Sequence, residues 1–142
     1  MQVNSILQGV LFSFLLLAVS YTDVKRREIP DTVCVLLALT GLLKFGYINL
    51  LGIFAALPFL IAAVSKENSI GGGDIKLTAS AGIVLGFWKG IYGLIIGLTL
   101  LILFYILVRI SSIIRKKQVA KNLSMPLAPF LGIGFIVMYF IN

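Results

Sequence analysis

Long apolar stretches alternate along this chain with short gaps that hold its charges. A helix that crosses a bilayer needs about 20 mostly apolar residues, with a range of roughly 17–25. On that measure six spans are predicted, over 3–22, 32–45, 47–64, 75–87, 91–110 and 125–141. The second is short and opens through Pro30-Asp31-Thr32, residue types that suit a helix start. Pro58 interrupts the third. The fourth is short and rich in small residues, among them Ala79, Ser80, Ala81, Gly82 and Gly86. Small residues let helices approach closely in lipid, so this helix is expected at the centre of the bundle. Gly90, Gly93 and Gly97 read as packing glycines for the same reason. The sixth span is led in by Pro126-Leu127-Ala128-Pro129. The expected fold class is all-α integral membrane, with about six transmembrane helices in one polytopic domain, 1–142.

The charges orient these spans. Of 12 Lys and Arg residues, only Lys44 and Lys89 fall in the second and fourth loops. The rest, including Lys25-Arg26-Arg27, Lys76 and Arg115-Lys116-Lys117, fall in the first, third and fifth. Cytoplasmic loops carry the excess of Lys and Arg. The odd loops are therefore expected in the cytoplasm and both termini outside. The N-terminus lacks the basic start and A-x-A site of a cleaved signal, and its basic cluster follows the apolar run. A retained first span is expected.

Composition supports this class. The chain is 60% hydrophobic and 12% charged, whereas soluble domains carry about 25% charged residues. The net charge of +7 comes from loops between apolar segments, so membrane topology accounts for it and no nucleic-acid partner is expected. One cysteine, Cys34, makes neither an internal disulfide nor a CxxC zinc site, and reads as a small buried hydrophobe.

Candidate chemistry rests on the acids. There are five, and no histidine. Asp23 ends the first apolar segment and Asp74 follows the run Gly71-Gly72-Gly73. The topology puts both on the cytoplasmic side. Carboxylates at the edge of a bilayer are costly and point to function. Two that lie close together share one proton, so that one serves as general base and the other as general acid. Neither metal nor cofactor is needed for that chemistry. Glycines before Asp74 are free to take positive φ and admit a second backbone. The competing reading makes Asp74 the N-cap of a helix after a flexible loop. Lys76 is placed to lower the Asp74 pKa, to hold a substrate carbonyl, or to act only as a topology charge. Glu28 and Asp31 are candidates for binding basic residues, with Asp31 equally explained as a helix cap; Glu67 reads as a solvated charge. Trp88, Tyr92, Tyr105 and Tyr139 suit interface anchoring or packing.

Three motifs, in order, carry a resemblance. Asp23 is followed by Ile29-Pro30-Asp31; Gly71-Gly72-Gly73-Asp74-Ile75-Lys76 matches GxGDxK; Pro126-Leu127-Ala128-Pro129-Phe130-Leu131 leads into the last span. In these the chain resembles the type IV prepilin peptidase family, membrane aspartic peptidases of the GxGD kind. The resemblance implies catalytic roles for Asp23 and Asp74, with Gly71, Gly72, Gly73, Lys76, Pro126 and Pro129 binding substrate or supporting the site. It implies a multi-pass protein of the cytoplasmic (inner) membrane that removes the short basic leader of a prepilin or pseudopilin. The apolar stem of that substrate would dock along the spans. Larger members carry paired CxxC motifs and N-methylate the new terminus; these motifs are absent from the sequence, so methyltransferase activity is not expected. The basic loop 25–27 would repel a basic leader and is read as orienting the protein.

Two other functions compete. Presenilin-like GxGD peptidases are larger and carry Pro-Ala-Leu near the end, where Pro-Leu-Ala-Pro stands here. A non-enzymatic transporter or assembly factor would use the two aspartates as a proton or cation site. Such a relay prefers acids deep within a span, and both aspartates lie near predicted span ends.

Overall fold

A computed structural model describes residues 2–44, 46–66, 70–115 and 125–141. Among these, every regular element is helical. The order is α1 (Gln2–Arg26), α2 (Asp31–Thr40), α3 (Tyr47–Leu50), α4 (Leu57–Ser65), α5 (Gly72–Leu85), α6 (Phe87–Ile114) and α7 (Ala128–Phe140). Short 3-10 turns, Gly41–Lys44 and Leu51–Ala56, extend α2 and join α3 to α4.

Among the described residues, three stretches are long and apolar enough to cross a membrane: Val3–Arg26, Tyr47–Ser65 and Phe87–Ile114. The segments expected at 32–45, 75–87 and 125–141 form shorter helices of 10, 14 and 13 residues. At 1.5 Å per residue, α5 is only roughly 21 Å long. The expected boundaries also move. Helix α1 runs on to Arg26, so Asp23 lies inside it and not at its end. Phe87 starts α6 and does not close the fourth segment, because Gly86 adopts φ 81° and breaks the helix there. Pro58 accounts for the interrupted third segment. Lacking an N–H, and with a ring that crowds the carbonyl four residues back, it is held at the start of α4. The turn before it is 3-10.

Helix α1 shows how the sequence positions the site. Gln8, Phe12, Leu16, Val19 and Asp23 are buried and recur every three or four residues. Val3, Val10, Phe14, Leu17 and Tyr21 are exposed on the opposite face. One inward stripe therefore begins at a buried amide and ends at a buried acid. Arg27 follows with φ 55°, and its N–H donates to the Asp23 carbonyl at 2.9 Å, a left-handed stop to the helix.

Helix α5 lies at the centre, packed on α2, on the Leu51–Ala56 turn, on α6 and on α7. The small residues expected to permit this do so. A Cβ on Gly82 would strike the Gly52 carbonyl, and one on Gly52 the Gly82 carbonyl. Gly90 faces the Ala55 methyl, while Gly93 and Gly97 take the backbone of α7 near Gly134 and Leu131. Backbone-to-backbone approach of this kind is the packing gain that holds helices together in lipid.

Candidate active site

Asp23 and Asp74 come from the inward faces of two different helices. Asp23 sits one turn before the end of α1 and is 8% exposed. Its Oδ2 accepts a hydrogen bond from the Ala128 N–H at 2.9 Å. Ala128 is the first residue of α7, where backbone amides have no intrahelical acceptor. Pro129 follows it inside the first turn and has no amide to offer. The first-turn geometry of the Pro-Leu-Ala-Pro stretch thus presents one free amide to Asp23. Of the predicted supporting residues, Pro129 contributes through this turn, and Pro126 lies just before it without a helical role.

Asp74 stands in the first turn of α5, half-buried, one residue before the apolar segment 75–87. Its own N–H donates to the Gly71 carbonyl at 3.1 Å. Burial raises its pKa from 3.8 to about 6, and the charge of Asp23 adds to the rise. The two carboxylates are therefore close enough to act on each other, and α5 favours an acid in this first turn through its dipole. The N-cap position belongs to Gly71, so Asp74 is not the cap that the competing sequence reading made it.

The glycine run is used differently from expectation. None of the three adopts positive φ; among the described glycines only Gly86 does. Gly71 has φ −66°, ordinary extended backbone. What matters is close approach at one position. A Cβ on Gly73 would lie 2.9 Å from Cβ of Ile29, whereas one on Gly72 would meet nothing within 4 Å. Ile29, in the loop after α1, thus packs against the turn that carries Asp74. Sequence reasoning saw Ile29 only as part of a motif, because the contact joins residues far apart in the chain.

Lys76 does not turn to Asp74. Its Nζ bonds both carboxylate oxygens of Asp31 at 2.8 Å, an exposed pair. The expectation that Lys76 tunes Asp74 is corrected by that geometry: the side chain is directed one face around α5. Asp31 is corrected too. Pro30 is the N-cap of α2, and Asp31 makes no capping bond but anchors Lys76. This ion pair borders an apolar groove of 580 Å³ between α2, α5 and the residues Leu50 and Ile53. Glu28 is exposed, and Glu67 lies outside the described residues. Cys34 is buried, as its sequence context implied.

Asp23 also shows how the site is tied to the rest of α1. At the far end of the inward stripe, the Gln8 Nε2 donates to the Thr40 carbonyl at 2.9 Å. The Tyr139 hydroxyl donates to the Ser5 carbonyl at 2.6 Å, and its ring stacks on Phe12. Tyr139 is thus a packing residue of the α1–α7 seam, which also holds Ala128 against Asp23.

Comparison with known proteins gives the family. The model of the type IV leader peptidase family matches residues 10–108, which include both aspartates. The chain is 31% identical over 147 residues to a prepilin leader peptidase/N-methyltransferase of Bacillus subtilis, covering 92% of this chain and 54% of that protein. It is 38% identical over 79 residues to the prepilin peptidase EppA of Methanococcus maripaludis, covering 52% of this chain and 22% of that protein. The chain thus spans about half or less of the length of these relatives. No solved structure gives a significant match. With the matched region taking in the helix that carries Asp23 and the Gly-Gly-Gly-Asp turn that opens α5, the chain belongs to the type IV leader peptidase family.

Proposed function

We propose that this protein is an aspartic endopeptidase that removes the short basic leader of a prepilin or pseudopilin at the cytoplasmic face of the membrane. The observation that carries the proposal is the family match, which takes in both the inward face of α1 that buries Asp23 and the first turn of α5 that half-buries Asp74. Asp74, with its raised pKa, holds the proton; Asp23 is the base. Water attacks the scissile carbonyl carbon and gives a proton to Asp23, while Asp74 protonates the carbonyl oxygen. In the second step the leaving nitrogen takes the proton from Asp23, the C–N bond breaks, and the hydroxyl proton returns to Asp74. The products are a leader with a new carboxyl group and a stem with a new amine. Methyl transfer is not part of this proposal.

The chain would cross the membrane about six times with both termini outside, which sets the acids on the side where a leader remains. The groove bounded by Asp31 and Lys76 begins on the same helix as Asp74, and would receive the apolar stem of the substrate. The alternative of a proton-relay transporter draws on no observation beyond the acids themselves.

The test is cleavage of a tagged prepilin in membranes by the parent, Asp23→Asn and Asp74→Asn, read as a gel shift. The side-chain amide introduced by Asp23→Asn keeps an oxygen for the Ala128 N–H, so loss of cleavage in that variant reports chemistry and not folding. Cleavage by the parent alone is expected. Persistence of cleavage without either acid would sink the proposal.

A further inference from the structure

Lys44 and Lys89 stand apart from the other cations in the sequence pattern, and in the structure both line one cavity of 360 Å³. Ser5, Gln8, Asn49 and Tyr139 line it as well, and among the described residues no carboxylate does. It lies at the opposite end of the molecule from the acid pair. Gln8 and Asp23 are separated by 15 positions of one helix, roughly 22 Å at 1.5 Å per residue.

Three features of the cavity suit an anion. Two lysine side chains line it, and no acid among the described residues joins them. Lys89 belongs to the first turn of α6, a helix of 28 residues with no acid in that turn and no side-chain cap, and Val84 and Leu85 at the end of α5 complete the lining. The free amides and dipole of such a terminus favour negative charge. Lys89 Nζ donates to the Ile141 carbonyl at 2.9 Å, which fixes the ammonium and leaves it further N–H groups. A fourth feature points to the source of the anion. Tyr47 and Trp88 are 84% and 69% exposed at this same end. Large aromatics in this setting mark the headgroup level of a bilayer.

We propose that this cavity binds the phosphate of an anionic phospholipid in the leaflet opposite the acid pair. An anionic headgroup is favoured over a zwitterionic one because no lining carboxylate is present, among the described residues, to hold a headgroup ammonium. The site is independent of peptide cleavage and is tested without it.

The test is native mass spectrometry of the full chain released from nanodiscs of phosphatidylglycerol and phosphatidylcholine in equal amounts. The parent is expected to retain phosphatidylglycerol selectively. K44Q/K89Q is expected to lose at least about tenfold of that retention, and K44R/K89R to keep it. K25Q/R26Q, at the other end, controls for general attraction to an anionic surface. Should the double glutamine variant not fold, K44Q alone carries the comparison. Retention by K44Q/K89Q equal to the parent overturns the proposal. Full competition by millimolar inorganic phosphate also overturns it, because the ligand would then be a free anion and not a lipid.

Discussion

At Asp74, burial and the charge of Asp23 both favour the protonated carboxyl, which moves its pKa from 3.8 to about 6. The folded protein therefore binds this proton more tightly than the unfolded chain. The resulting stability is fully present below 3.8 and is lost as pH rises through about 6. Asp74→Asn removes the loss. That variant is expected to unfold at a higher temperature than the parent at pH 7.5 while cleaving nothing, and to lose its advantage at pH 4. Thermal unfolding in detergent at the two pH values decides; the same pH dependence in both proteins refutes the assignment. A neighbouring residue offers a steric test. Gly72→Ala meets open space and is expected to leave folding and cleavage within about 1 kcal/mol of the parent. Gly73→Ala pushes on Ile29 and should lower activity at least tenfold by moving the Asp74 turn. Rates of leader removal by the two variants, at matched expression, make the comparison. The Gly-Gly-Gly-Asp run was visible in the sequence, but not which glycine is needed, since Ile29 approaches only after α1 has stopped at Arg27.

Among the elements, α5 depends on a crossing made by two glycines. Gly52 in the 3-10 turn and Gly82 in α5 each lie against the other's carbonyl. A backbone oxygen cannot rotate away as a side chain can. Gly52→Ala is expected to cost at least about 1–3 kcal/mol and to displace the helix that carries Asp74. Gly46→Ala, whose nearest neighbour beyond the adjacent residues is a side-chain atom of Asn49 at 3.7 Å, serves as the tolerant control. Melting temperature and size-exclusion profile in detergent separate the two; equal behaviour would remove the crossing from the account. The small residues of α5 mark it as a central helix by composition alone. Their partner does not stand out in the same way, because Gly52 lies in a stretch that reads simply as an apolar span interrupted at Pro58.

On the scale of the whole molecule, three helices tie the two ends together. Helix α1 links Gln8 to Asp23, α5 leads from Asp74 toward Leu85, and α7 links Ala128 to Tyr139. The acids lie at one end and the lysine-lined cavity at the other. An enzyme that requires Asp74 protonated should lose single-turnover cleavage as pH rises past about 6, approaching tenfold per unit. A pH profile of leader cleavage across the neutral range, in membranes, tests this. A rate that rises throughout that range would exchange the acid and base roles or remove the shared proton from the mechanism.

Sequence alone determined that the chain is helical and made for a membrane, because blocks of apolar residues leave few other ways to satisfy a backbone in lipid. It also singled out Asp23 and Asp74, since charges are rare enough here for each to be noticed. Tertiary structure decided what those acids touch. The Ala128 amide reaches Asp23 across 105 positions, and Lys76 goes to Asp31 across 45. In a helix that is apolar on every side, hydrophobic periodicity does not say which face turns inward. That choice falls to the packing of small residues and to the polar groups that must find partners, and both are settled only when the helices meet.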